Sequence, residues 1–270
     1  MSVALGQSGQ DTIAAAFAAA PGRAALMPYL MGGFPDLATS LAIGRAYAES
    51  GADLVELGVP FSDPLADGPV IHAAGTRALA AGATLHGVLE IGSELAETVP
   101  VVLMCYANLV FARGAERFAG ELAERGISGL IVPDLPLEEA GGALAACDGA
   151  GIALVALVAP TTPDERLAAI GRTGRGFVYL VSVTGTTGER EGAPSGLASM
   201  LERTKACFDV PVAVGFGIGT PEAAAGAADL GADGVNVGSR LVRAAAAHVF
   251  APHLPGKQRD DGPGTGWNPR

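Results

Sequence analysis

The 270-residue chain reads as an α/β protein built on a parallel sheet, and three features of the sequence predict it. A phrase recurs in which a polar helical stretch ends in glycine and an apolar strand begins two or three residues later. It stands as ESGADLVEL around Gly51, ERGISGLIV around Gly126, GAGIALVAL around Gly151 and DLGADGVNV around Gly231. Glycine is the favoured left-handed residue just past a helix end, so the phrase marks helix-to-strand connections, and its repetition makes the strands parallel. The apolar runs are short and bounded, as strands buried on both faces require. Finally, eight such runs alternate with helices over about 240 residues, close to the roughly 250 that a (β/α)8 TIM barrel takes.

The elements follow in order. Thr12 to Ala20, TIAAAFAAA, is an added N-terminal helix; it is too short to span a bilayer and no basic region precedes it. Strands are expected at Ala25 to Leu30, Leu54 to Leu57, Val101 to Cys105, Gly129 to Val132, Ala153 to Val158, Phe177 to Val181, Val212 to Val214 and Gly234 to Val237. A doubly wound open sheet is the alternative, but no strand runs directly into a G-x-G-x-x-G turn, and the string from Gly215 to Gly219 has the wrong spacing. Residues 1–250 are therefore expected to form one barrel domain. After Val249 the chain becomes APHLPGKQRDDGPGTGWNPR, and residues 251–270 are expected to be an atypical, disordered Pro/Gly-rich tail.

Composition narrows the function. A net charge of -11, with no Lys/Arg-rich block, argues against a nucleic-acid partner. It leaves room for a small phosphorylated ligand, which helix N-termini and backbone amides hold without many cations. Cys105, Cys147 and Cys207 are odd in number and scattered through apolar or helical stretches, as in a reduced cytoplasmic protein. No segment directs the chain to a membrane.

The stretch Val55 to Pro69, VELGVPFSDPLADGP, carries the most chemistry. Glu56 sits in the apolar run Leu54-Val55-Glu56-Leu57, near the C-terminal end of a buried strand. Burying a carboxylate is costly and raises its proton affinity, so the position points to acid/base work; the alternative is a structural ion pair with an arginine. Asp67, on the following loop, can reach the same cavity. In a barrel, chemistry belongs at the C-terminal strand ends, and loops after the seventh and eighth strands often grip a phosphate. Gly217, Gly238 and Ser239 fit that grip, although these glycines could also serve only to turn the chain. The two lysines, Lys205 and Lys257, lie off the strand ends, which excludes a Schiff base. His72, His86, His248 and His253 show no metal-ligand spacing, so no metal is expected. Carboxylate acid/base chemistry remains.

Together with VELGVPFSDPLADGP, the run from Met104 to Phe111, the VPDLPLEE of Val132 to Glu139 and the SVTGTTG of Ser182 to Gly188 resemble the tryptophan synthase alpha subunit. The resemblance spans Ala25 to Ala247, with its motifs in family order. It implies a lyase that cleaves indole-3-glycerol phosphate to indole and glyceraldehyde 3-phosphate in L-tryptophan biosynthesis. Glu56 is then the proton donor and Asp67 the group that stabilises the indole N–H, with Tyr179 beside them. Gly188, Gly217, Gly238 and Ser239 would hold the phosphate, and Tyr29, Leu103, Leu130, Ile131 and Phe216 would form an apolar floor for the ring. It also implies a beta subunit that carries pyridoxal phosphate, an alpha2beta2 assembly, and no cofactor in this chain. Asp63, Pro60, Asn108 and Pro136 match interface positions, and Thr187 matches the threonine of a closing loop.

Met31, His72 and Val183 depart from common family residues, and the tail replaces a further amphipathic helix. Apolar surface on the first and eighth strands is then expected to be exposed, or covered by the Thr12 to Ala20 helix or a partner. Two other readings stay open: a binding or regulatory paralogue with little turnover, and a stand-alone indole-releasing lyase.

Overall fold

The computed structural model describes residues 8–181, 196–215 and 217–250. Eight parallel strands close into a barrel in chain order: β1 (Ala25–Met31), β2 (Val55–Gly58), β3 (Val101–Met104), β4 (Gly129–Ile131), β5 (Ala153–Val158), β6 (Val178–Val181), β7 (Val212–Gly215) and β8 (Gly234–Val237). The closing pair is β8 on β1, with Ala25 opposite Gly234 and Pro28 opposite Val237. The described helices are α1 (Gly9–Ala18), α2 (Leu37–Glu49), α3 (Pro69–Ala80), α4 (Leu85–Ala96), α5 (Ala107–Arg113), α6 (Ala115–Glu124), α7 (Gly141–Ala150), α8 (Asp164–Gly171), α9 (Leu197–Lys205), α10 (Pro221–Asp229) and α11 (Ser239–Phe250). The expected (β/α)8 architecture is the observed one.

The recurring phrase works as expected at its glycine and does more at its aspartate. Gly51, Gly126, Gly151 and Gly231 take φ of 90°, 72°, 73° and 98°, the left-handed conformation that lets each helix end and the chain turn back toward the sheet. In the two copies that read Gly-Ala-Asp, the aspartate then ties neighbouring strands together. Asp53 accepts the Leu26 N–H at 2.7 Å and also pairs with Arg23, while Asp233 accepts the Val212 N–H at 2.8 Å and pairs with Lys205 at 2.7 Å. Each carboxylate therefore satisfies a backbone donor at a strand start that has no ladder partner there.

Strand alternation divides the core into two layers. Val55, Leu57, Leu103 and Leu130 point outward into the apolar layer under the helices. Met27, Val102, Ile131, Phe177 and Ala213 point into the barrel. The inward set is dense at the base, where α1 plugs the barrel. Ile13 is fully buried there because Gly129 and Gly176 lack side chains; a β-carbon on them would stand 3.1 and 3.0 Å from Ile13 Cδ1. Phe17 packs on Phe177 with ring centroids 5.7 Å apart. The helix begins earlier than Thr12 because Ser8 caps it: its hydroxyl oxygen accepts the Asp11 N–H at 3.2 Å, and the Asp11 carboxylate accepts from Ser8 in return.

This position overturns one of the expected alternatives, that the N-terminal helix covers the first and eighth strands. The N-terminal helix closes the base of the barrel and leaves the outer faces of the first and eighth strands to other elements. Helix α11 packs on β1 and α3, burying Val242 and Ala246 beside Met31, Val70 and Ala74. Leu26, on the outer face of β1, stays 37% exposed. Residues 251–270 lie outside the described residues. Cys105 and Cys147 are buried thiols and Cys207 is half-buried.

Because Ile13 fills the base and the surrounding glycines cannot collapse onto a void, Ile13→Ala is expected to cost about 2–5 kcal/mol of stability, read from urea unfolding midpoints. A loss under about 1 kcal/mol would mean that α1 is not an integral plug.

Candidate active site

The base is packed, so the open volume lies at the C-terminal mouth, a cavity of about 690 Å³ lined by Tyr29, Glu56, Asp67, Tyr179, Asn236 and Gly238 among others. It continues over the outer face of β5 between Leu144 of α7 and Arg166 and Ile170 of α8. Glu56 is 1% exposed on β2, in register with Tyr29 of β1 and Val102 of β3. Because Val55 and Leu57 face outward, Glu56 faces in. Two glycines give the tyrosines their places beside it. A β-carbon on Gly58 would overlap the Tyr29 hydroxyl, and one on Gly215 would overlap the Tyr179 hydroxyl.

Among the described residues, Glu56 has no oppositely charged partner. Its Oε2 accepts the side-chain N–H of Asn236 on β8, a neutral amide that is itself 5% exposed. This is not the structural ion pair that position alone allowed. Burial pushes the Glu56 carboxyl up to about 8, the negative charge of nearby Asp67 adds to the rise, and the Asn236 hydrogen bond opposes it. At neutral pH Glu56 is accordingly a carboxylic acid able to give a proton into the cavity.

Asp67 lies on the loop after β2 and is held by a residue that follows the neighbouring β3. It precedes α3, which opens with Gly68 and then Pro69 at its first position. The Tyr106 hydroxyl donates to Asp67 Oδ1 at 2.9 Å, and the Ala66 N–H donates to the same hydroxyl oxygen at 3.0 Å. Tyr106 is buried just beyond β3 and stacks on Phe61 with centroids 5.4 Å apart. The ring thus moors the loop after β2 to the barrel rim. Partial burial raises Asp67 above its ordinary value, while the Tyr106 hydrogen bond and nearby His72 pull it back. The two carboxyl groups are therefore separated in character: Glu56 gains the larger rise from full burial, and Asp67 keeps partners for its charged form.

Gly217, Gly238 and Ser239 line the same cavity, and Ser239 opens the twelve-residue helix α11. Ile131 and Tyr29 line it as well. Leu103 and Leu130 do not: alternation turns both outward under the helices, and their inward neighbours Met104 and Ile131 face the mouth instead. Gly188, Thr187, Val183 and Phe216 lie outside the described residues. Asp63, Asn108 and Pro136 are exposed, whereas Pro60 is buried beside Gly75 of α3. Met31 is buried, its sulfur 3.9 Å from the Tyr29 hydroxyl. Among the described residues, no group of three His, Cys, Asp or Glu side chains is arranged to hold a metal ion.

Two residues of the site escaped the sequence reading. Asn236 carried a visible signal, a lone amide in the apolar strand Val235-Asn236-Val237, two positions before a cavity glycine. Tyr106 carried a weaker one, a strand-end position within a motif already noted.

A closed (β/α)8 barrel with a buried carboxylic acid and a second carboxylate at its C-terminal mouth defines an acid/base enzyme of the barrel class. The family model described as tryptophan synthase alpha chain matches residues 16–254. The alpha chain of Prochlorococcus marinus is 52% identical over 230 residues, 84% of each chain, and that of Citrifermentans bemidjiense is 48% identical over 224 residues, 82% of this chain and 84% of the relative. Among solved structures, tryptophan synthase of Mycobacterium tuberculosis matches with a TM-score of 0.81 and 41% identity, covering 86% of this chain and 90% of that one. The alpha2beta2 tryptophan synthase complex of Pyrococcus furiosus matches at 0.76 and 41%, covering 81% and 89%. The chain belongs to the tryptophan synthase alpha chain family.

A carboxyl whose proton affinity rises on folding binds more protons in the folded than in the unfolded state between its two midpoints, so stability falls as pH rises from about 4.5 toward about 8. Glu56→Gln removes that penalty. The variant is expected to match the parent below about pH 4.5 and to exceed it at pH 9 by on the order of 5 kcal/mol in chemical denaturation. A constant difference across that range would show that Glu56 titrates normally.

Proposed function

We propose that the protein cleaves indole-3-glycerol phosphate to indole and glyceraldehyde 3-phosphate, as the alpha subunit of a tryptophan synthase. The observation that carries this reading is the buried Glu56, its proton affinity raised by burial, lining one cavity with Asp67, Gly217, Gly238 and Ser239. Family membership supports the same reaction.

The chemistry asks for what these groups can do. The bond from ring carbon C3 to the side chain cannot break until C3 is protonated, because its electrons must return to an electron-poor ring. Glu56 gives that proton, and the resulting indoleninium carries positive charge at N1–H, where the Asp67 carboxylate stabilises it. The Glu56 carboxylate so formed then takes the proton of the adjacent side-chain hydroxyl. The O–H electrons become the aldehyde C=O, the C–C electrons restore the aromatic ring, and Glu56 ends as it began. No cofactor in this chain is required for those steps. The N–H groups at the start of α11 and the Ser239 hydroxyl hold the phosphate, and Tyr29, Ile131 and Tyr179 bound the ring.

Exposed Asp63, Asn108 and Pro136 on the mouth loops suit a partner docked over the opening, a pyridoxal-phosphate beta subunit that receives indole in an alpha2beta2 assembly. The Pyrococcus furiosus relative is described as such a complex with mutual activation. A cytoplasmic setting fits a biosynthetic enzyme with free buried thiols. Among the described residues no helix is long and apolar enough to cross a membrane.

The test is indole release from indole-3-glycerol phosphate by the purified chain, alone and with a beta subunit. Release is expected, rising with the partner, and Glu56→Gln is expected to lower kcat by about 10²–10⁴-fold while glycerol 3-phosphate still binds. Strong release that ignores the partner would indicate a stand-alone lyase; none in either condition would favour a binding paralogue. Because the acid must be protonated, kcat/KM is expected to fall as pH rises through about 8. At Gly238 a β-carbon would stand 3.6 Å from the Tyr29 β-carbon, an ordinary contact, so Gly238→Asp is expected to fold and to weaken glycerol 3-phosphate binding about tenfold or more in calorimetry. Unchanged affinity would move the phosphate site elsewhere.

A further inference from the structure

Glu56 and Asn236 lie on β2 and β8, the two strands that flank β1, and their side chains meet inside the barrel across 180 residues of sequence. The alternation that turns Val235 outward turns Asn236 inward, where it is 5% exposed and lines the cavity with Glu56. A buried amide in an apolar strand is costly unless its polar atoms are used, and its Nδ2 is used on a single oxygen of Glu56. Its Oδ1 lies toward Gly238, 4.0 Å from the place a β-carbon would take there.

A carboxylic acid carries its proton on one oxygen. An N–H donor directed at Oε2 occupies the lone pair on which a proton would otherwise sit, so in the acid form the proton resides on Oε1. When the proton leaves, the same N–H stabilises the carboxylate without having to move. We propose that Asn236 is a positioning residue for proton transfer: its amide N–H fixes Glu56 Oε2 and leaves Oε1 as the oxygen that delivers and recovers the proton. This rests on the retro-aldol reading of the site and adds a specific division of labour to it.

The surrounding groups sharpen what Asn236 contributes. Asp67 from the loop before α3 is a negative charge that raises the proton affinity of Glu56. Tyr29 of β1 and Tyr179 of β6 share the cavity, and their own ionisation is driven well upward by burial, so both face Glu56 as neutral phenols. Tyr106 and His72 act on Asp67. Asn236 is the group that opposes burial and Asp67, keeping Glu56 able to lose its proton near neutral pH.

The experiment pairs a titration with kinetics in two variants of similar shape, Asn236→Leu, which removes the donor, and Asn236→Asp, which replaces it with a second carboxyl. The Glu56 carboxyl is followed by carbon-13 NMR of side-chain-labelled glutamate, assigned by its loss in Glu56→Gln. Its midpoint is expected to move upward by about one pH unit in Asn236→Leu and further in Asn236→Asp. The alkaline limb of kcat/KM should follow, and kcat at pH 7 should fall about tenfold. A merely structural asparagine would lower activity or the melting temperature and leave the Glu56 midpoint in place. Midpoints within about 0.2 pH unit of the parent in both variants would overturn the proposal. The titration needs no turnover, so a parent chain that releases no indole yet shows shifted midpoints would sink the retro-aldol reading while preserving the hold of Asn236 on Glu56. Shifted midpoints with unchanged kcat and an unmoved alkaline limb would remove Asn236 from proton transfer.

Discussion

The desolvation of Glu56 is the constraint around which the mouth of this barrel is arranged. A carboxylate taken fully out of water at the end of a strand is unfavourable by several kcal/mol unless it is paired or protonated. Among the described residues no cation is brought to it; a neutral amide is. The group therefore keeps its proton at neutral pH, and its neighbours are the kind that tolerate a protonated acid: two tyrosines seated over glycines, an asparagine, and a carboxylate moored on the loop after β2. An arginine in place of Asn236 would make a more comfortable ion pair and a worse acid.

That arrangement depends on a division between the two ends of the barrel. The base is closed by Ile13 and Phe17 and by glycines that make room for them, and the strand starts there are tied by Asp53 and Asp233. Dense packing and satisfied backbone donors at that end hold the strands in register. Without that register Glu56 of β2 and Asn236 of β8 would not meet across the interior. The mouth, relieved of a packing role, can keep a polar cavity and a strand-end acid that a uniformly packed core would exclude.

Much of this was legible in the chain. The helix-glycine-strand phrase showed that the strands are parallel, because it encodes the helix stop and the strand start together, and the bounded apolar runs located all eight strands to within about two residues. Glu56 stood out because an ionisable residue in an apolar run needs a physical reason, and Asp67 because the following loop can bring it to the same cavity. What the sequence hid was parity. Leu103 and Leu130 are apolar residues on apolar strands, and nothing local says which face they take; only the register that puts Glu56 beside Val102 shows that Leu103 points away. Asn236 was hidden for the converse reason. Its amide is informative only once it is known to share a layer with Glu56, a contact between residues 180 positions apart. The base plug was likewise invisible, since the TIAAAFAAA run fits a helix on any apolar surface and Gly129 and Gly176 advertise no partner.

The most direct measurement is the protonation state of Glu56 itself, by infrared difference spectroscopy of the parent chain against Glu56→Gln. A protonated carboxyl C=O band, present at pH 6 and lost by pH 10, is the predicted result. A Glu56 already ionised at pH 6 would contradict the account, because the proton on which the cleavage depends would be absent where the enzyme has to work.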